Sequence, residues 1–310
     1  MASDYTCAAP PMPRTLGRLC SPRPLALVLA LVWMIGTPVR ADLAEAPPDP
    51  LAGTPIRSVF VRLPQRTTPT QAPLQVLLVL HGMGGNGPDF ARDLFDQADA
   101  NGWLIVAPTI DYGDWTNPSV VAEEDPMLIQ ALGDYLDGLP SMVGAPVRHL
   151  VLLLGHSRGA QLAHRFAEFR PERVLAVAAL SAGTYTLPAV AGPAASLNFP
   201  YGVQDLDHYA GHSFDAQRFD GVAFWVGVGA QDSNPGDVPR QWDSVEGSTR
   251  VQRARAFEAA ARQLGASVQV HVFGDARHEV TPEMRSAACD FLKVEGATTA
   301  QTSGGDTSPY

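Results

Sequence analysis

Short apolar runs recur along the chain, at 58–63, 75–80, 103–108, 149–154, 174–180, 222–229 and 267–273. Runs of this length predict buried strands, as inside a parallel sheet. Between them lie segments with helical spacing of apolar positions, at 88–100, 125–136, 158–169, 249–264 and 282–292. Strand and helix alternate, which predicts an α/β fold: a mostly parallel central sheet with helices on both faces. The rhythm breaks over 183–220, where Pro, Gly and the aromatics Phe199, Tyr201, Tyr209 and Phe214 replace any period. A long irregular connection inside a compact domain predicts a lid-like insertion or binding loop. No internal repeat is present.

The two ends follow different rules. Arg14, Arg18 and Arg23 precede the apolar run 25–35, which is followed by small residues up to Ala41. That order predicts a secretory signal peptide over 1–41. The run is short for a bilayer-spanning helix, so cleavage is expected rather than a lasting membrane anchor. Residues 42–55 are rich in Pro and Ala and read as a linker, and 296–310 read as a disordered tail of Gly, Ser and Thr. The remaining 56–295 form the predicted catalytic domain. With 45% hydrophobic residues overall, the chain can fill a core of that size.

Charge and cysteine content narrow the partners. The full chain carries a formal −10, and loss of 1–41 makes it −13, which disfavours nucleic acid and anionic membranes. Cys7 and Cys20 fall within 1–41, leaving Cys289 alone in an exported chain. An internal disulfide is then impossible.

The chemistry concentrates at Gly155-His156-Ser157-Arg158-Gly159, a GxSxG run between an apolar strand and a helical segment. In that setting a sharp turn lifts the Ser157 hydroxyl above the strand end, in front of a helix N-terminus. A serine hydroxyl is a weak nucleophile at neutral pH and needs a base, and the base needs an orienting acid. Asp232 follows the strand at 222–229, and His278 follows the strand at 267–273, giving the order Ser157, Asp232, His278. Asp237 competes with Asp232 for the acid. His81-Gly82-Met83-Gly84-Gly85, directly after the strand at 75–80, predicts a loop whose main-chain N–H groups face an oxyanion. Met83 and Arg158 are the expected donors, and His81 is expected to brace the loop by hydrogen bonding. Tyr112 and Trp115 follow the strand at 103–108, where lining an apolar substrate groove and packing in the core are both open.

A rival template overlaps the same loop. Gly82, Gly84 and Gly87 spell GxGxxG after a strand, and Asp111 stands where a ribose-binding acid would. That pattern belongs to nucleotide-dependent oxidoreductases, and it leaves Ser157, Asp232 and His278 without a role. A binding protein that has lost catalysis is disfavoured because no triad position is missing. His149, His156, His164, His208, His212 and His271 have no familiar metal-ligand spacing, so neither a metal nor a cofactor is expected.

On these motifs, from about Arg57 to Lys293, the chain resembles the α/β-hydrolase superfamily. It is similar there to secreted bacterial esterases akin to polyhydroxybutyrate depolymerases, feruloyl esterases and dienelactone hydrolases. The resemblance implies the α/β-hydrolase fold and a secreted or periplasmic serine esterase acting on small or polymeric esters through an acyl-enzyme. Peptidases and thioesterases share the same apparatus. Arg158 departs from the family pattern, in which a smaller or apolar residue commonly follows the nucleophile; contact with substrate and pairing with a neighbouring carboxylate are both open.

Overall fold

Seven strands and nine helices alternate along the described residues. They are β1 (Ile56–Arg62), β2 (Gln75–Leu80), α1 (Gly87–Arg92), α2 (Phe95–Asn101), β3 (Trp103–Ile110), α3 (Pro118–Val143), β4 (Val151–His156) and α4 (Arg158–Phe169), followed by β5 (Val174–Leu180), α5 (Leu206–Ala210), α6 (Ala216–Asp220), β6 (Ala223–Gly229), α7 (Asp243–Glu246), α8 (Arg250–Gln263), β7 (Val268–Phe273) and α9 (Pro282–Thr302). The computed structural model describes residues 49–65, 72–189 and 197–302, with side chains up to residue 297. The expected signal peptide over 1–41 lies outside the described residues, as do 42–48 of the linker, 190–196 of the insertion and 303–310 of the tail.

The strands form one sheet in the order β1-β3-β2-β4-β5-β6-β7, with β1 antiparallel to β3 and every other pair parallel. β2, β4, β5 and β6 are buried almost throughout, which is why their sequences are continuous apolar runs. One face, with Val76, Leu78 and Leu80, packs against α3, α4 and α8; the other, with Leu77 and Val79, packs against α1, α2 and α9. Cys289 of α9 is a free, fully buried thiol on that second face, and burial pushes its pKa up to about 12.

From β2 the chain crosses to β3 on one side, then returns past β2 to β4 on the other. The loops after β2 and β4 therefore diverge at the carboxyl ends of adjacent strands. That crevice is where open α/β sheets bind ligands.

Three of the predicted helical segments differ in the structure, and the short helices α5, α6 and α7 lie where no helix was predicted. The segment expected as one helix over 88–100 is broken at Asp93-Leu94, which turns Phe95 onto Phe60 and the Arg62 guanidinium. α3 extends beyond the predicted 125–136 at both ends and contains Pro126 and Pro140. Asn117 caps its start by accepting from Ser119 N–H at 3.0 Å. α9 continues past the predicted end at 292, so 296–302 of the expected tail are helical. Gly296 reads as a helix stop, but its carbonyl accepts from Arg148 Nη1 at 3.1 Å, a contact that outweighs the local preference.

The segment 183–220 does not cover the β2–β4 crevice in its described part. Thr184 and Thr186 are buried and accept from Arg165 of α4 at 2.8 and 2.9 Å, and Phe199 packs edge-on against Phe169. These described residues lie on the α4 side of the sheet.

Candidate active site

β4 ends in a strained turn. Ser157 has φ 54° and ψ −115°, a conformation that costs a non-glycine residue of order 1–3 kcal/mol. Both flanking glycines are sterically required. A Cβ on Gly155 would lie 2.3 Å from the Gly159 carbonyl oxygen, and one on Gly159 would lie 2.1 Å from that of Leu80. With strand and helix this close, the Ser157 hydroxyl stands at the N-terminus of α4.

His278, in the loop after β7, meets that hydroxyl. Its Nε2 lies 2.9 Å from Ser157 Oγ, and its Nδ1 lies 2.7 Å from Asp232 Oδ2. A carboxylate at Nδ1 fixes the proton there, which leaves Nε2 free to accept from the serine. The two loops that carry acid and base are stitched together: Ala230 N–H donates to Phe273 O at 2.8 Å and Gln231 N–H to Ala276 O at 3.0 Å. A Cβ on Gly229 would meet Ala276 O at 2.3 Å, so only glycine allows this approach.

Of the two aspartates weighed as the acid, Asp232 is the one on His278. The Asp237 side chain is exposed, and its carboxylate accepts from Asn234 Nδ2 at 3.1 Å. Sequence reasoning did not find Arg250. Its Nη1 donates to Asp232 Oδ1 at 2.7 Å, and both side chains are buried. Nothing in the local pattern of α8 separates it from the exposed Arg255 and Arg262.

The glycine loop after β2 is clamped by His81. Ile110 N–H donates to its Nε2 at 2.9 Å and its Nδ1 contacts Gly82 O at 2.7 Å, an arrangement that requires a neutral ring protonated at Nδ1. Burial lowers its pKa, in keeping with that state. Gly85 N–H closes the turn onto Gly82 O at 3.1 Å, and a Cβ on Gly82 would sit 3.3 Å from Ser157 Cβ. Among the described residues neither Met83 N–H nor Arg158 N–H has a protein acceptor. Met83 lies in the loop beside Ser157, and Arg158 is the first residue of α4.

The remaining predicted site residues are placed differently. The Arg158 guanidinium is buried, pairs with Glu124 at 2.9 Å and with Asp125, and lies over the Tyr112 ring at 4.9 Å. Pairing with carboxylates is thus the outcome, and the side chain does not reach substrate space. Tyr112 belongs to this buried cluster, and Trp115 is half-buried against Gly183. Neither lines the cavity at Ser157, because the loop after β3 folds back over α3 and α4.

That cavity has a volume of about 600 Å³ and is lined by Met83, Asn86, Asp89, Phe90, His156 and the glycine loop around Ser157 and His278. Asp89 is already satisfied by Asn86 and Arg92. The His156 ring lies 5.1 Å from that of His278. Burial, with His278 next to it, drops the His156 pKa to about 4, so it is neutral near pH 7. The rival dinucleotide reading finds no matching geometry: the Asp111 carboxylate pairs with Arg57, Gly82 packs against Ser157 and His156, and Gly87 packs against the β3 backbone at Ala107. Among the described residues no three His, Cys, Asp or Glu side chains gather as a metal site.

No protein-family model matches the sequence, and no curated protein matches it. Solved structures do resemble it. Poly(aspartic acid) hydrolase-1 from Sphingomonas sp. KT-1 aligns at 21% identity and a TM-score of 0.58, over 76% of this chain and 92% of its own. A carboxylesterase from Bacillus cereus aligns at 12% and 0.52, over 76% and 93%. A phospholipase/carboxylesterase from Dyadobacter fermentans aligns at 17% and 0.50, over 77% and 97%. At these identities the likeness is one of fold.

Proposed function

We propose that this chain, which has the α/β-hydrolase fold, is a serine hydrolase that cleaves carboxylic esters through an acyl-enzyme. The observation that carries the reading is the continuous hydrogen-bonded path Asp232–His278–Ser157 at the mouth of a cavity. Ser157 Oγ attacks the ester carbonyl and passes its proton to His278 Nε2, while Asp232 holds the Nδ1 proton and stabilises the imidazolium. The oxyanion is taken up by the N–H groups of Met83 and Arg158, each worth about 2.7 to 4 kcal/mol in comparable sites. His278 returns the proton to the departing alkoxide and leaves an acyl-serine. A water deprotonated by the same imidazole then releases the acid.

The cavity lining favours an uncharged ester. The lining is apolar at Met83 and Phe90, and its one carboxylate, Asp89, is satisfied within the protein. Neutral His156 beside His278 adds no repulsion when the imidazolium forms. The basic and apolar order of residues 14–41 supports export as part of this reading.

The test is Ser157→Ala assayed on p-nitrophenyl acyl esters of graded chain length, together with labelling by a fluorophosphonate. Loss of both turnover and label is expected; turnover retained within tenfold overturns the reading.

A further inference from the structure

We propose that Arg250 is a positioning residue of this site, acting through Asp232 to set the pH at which His278 becomes an effective base. The inference rests on the triad reading above and adds a fourth member to it.

Asp232 has two carboxylate oxygens and no water-exposed surface to spare. Oδ2 accepts from His278 Nδ1 at 2.7 Å, and Oδ1 accepts from Arg250 Nη1 at the same distance. Arg250 Nη2 donates onward to Asp237 O at 2.9 Å, which leaves the guanidinium held between the carboxylate and one carbonyl. Its placement is otherwise unfavourable in three ways. The cation is buried, it opens helix α8 at the positive end of the helix dipole, and its Nε is buried with no acceptor among the described residues. An ionised Asp232 offsets those costs, and the fork in turn fixes the plane of the carboxylate so that Oδ2 stays aligned on Nδ1.

The charge has a second effect. A carboxylate alone draws His278 toward its protonated form, whereas a guanidinium on the far oxygen cancels part of that pull. The imidazole then stays neutral, and able to accept from Ser157, to lower pH. Other groups facing His278 are few. His156, from the end of β4, is neutral near pH 7, and in its own loop Arg277 and Glu279 are exposed, with Glu279 Oε1 accepting from Arg277 N–H. Arg250 is the buried charge on the far side of Asp232.

The experiment compares wild type, Arg250→Gln, Arg250→Lys and Ser157→Ala in the full chain, with p-nitrophenyl butyrate from pH 5 to 9 and circular dichroism as a fold check. Arg250→Gln is expected to lower kcat by about ten- to a hundredfold with KM changed less than about twofold. Its acid limb is expected to move to higher pH by roughly one to two units, the effect of removing a unit charge two hydrogen bonds away in a medium of effective dielectric ~20. Arg250→Lys keeps the charge and should restore the position of the limb with partial kcat. An Arg250→Gln limb at the wild-type position, whatever the loss in rate, makes Arg250 a structural clamp and overturns the proposal. If Arg250→Gln does not fold, Arg250→Lys decides: reduced kcat with an unmoved limb supports it, and wild-type kcat or a displaced limb overturns it. Turnover by Ser157→Ala would instead overturn the triad reading itself, so the two failures are separable.

Discussion

Arg158 and Asp125 form an ion pair with 1% and 0% side-chain exposure, directly behind the nucleophile turn. The second Asp125 oxygen takes Arg165 at 2.8 Å. Burial alone would raise the Asp125 pKa, but the two guanidiniums outweigh it and hold it below the usual carboxylate value. Asp125→Asn takes the paired carboxylate from buried Arg165 and leaves Arg158 only Glu124, and it is expected to cost about 3–5 kcal/mol in urea denaturation. A loss under about 1 kcal/mol would mean that the arginines find other partners.

The acid of the triad is separable by substitution. Asp232→Asn keeps the shape but removes the charge that fixes the His278 tautomer, and kcat should fall by about 10⁴. Asp237→Asn changes only an exposed side chain and should stay within about twofold of wild type. Equal losses in the two variants would contradict the geometry.

Strain at Ser157 predicts a trade of activity for stability. Glycine adopts positive φ without steric cost, whereas alanine does not. Ser157→Gly and Ser157→Ala should both be inactive, with the glycine variant more stable by about 1 kcal/mol in thermal or chemical melts. An alanine variant as stable as the glycine one would show that the turn is unstrained.

Glu246 predicts a pH dependence of stability. It is buried and accepts from Tyr185 N–H, and burial pushes its pKa up to about 8 against the pull of Arg253 and that hydrogen bond. The unfolded chain releases this proton near pH 4.3. Its contribution is therefore complete below that value and is lost as pH rises through about 8. Relative to Glu246→Gln, wild type should lose roughly 2 to 4 kcal/mol between pH 5 and 9 in denaturant titrations. Buried His164, whose pKa is lowered, acts in the opposite direction below about pH 6.5 and cancels in the comparison. A difference between wild type and variant that does not change with pH would place an ionised carboxylate in the core.

The inner strands were legible because a strand buried on both faces must be written almost entirely in apolar residues, and β2 and β5 match the predicted bounds of 75–80 and 174–180, whereas the edge strands β1 and β7 keep exposed positions. The glycines of the nucleophile turn were legible for a similar reason, since no other residue fits between Gly159 and Leu80. α3 was only half visible: the predicted segment began at 125, yet the helix starts at Pro118, and Glu124 and Asp125 face Arg158 and Arg165 inside the core. Tyr112 was assigned from its strand-end position alone, which does not say whether a loop opens outward or folds back. Arg250 carried no signal, because a buried ion pair between α8 and the turn after β6 depends on tertiary placement.

Cys289 has a practical consequence. The thiol lies under α9 at 0% exposure, and with its pKa at about 12 almost none of it is thiolate at neutral pH. A disulfide reagent in solution can reach it only when that helix lifts from the sheet. The rate of its modification therefore reports how often the C-terminal helix opens, a built-in clock for local unfolding that needs no engineered label.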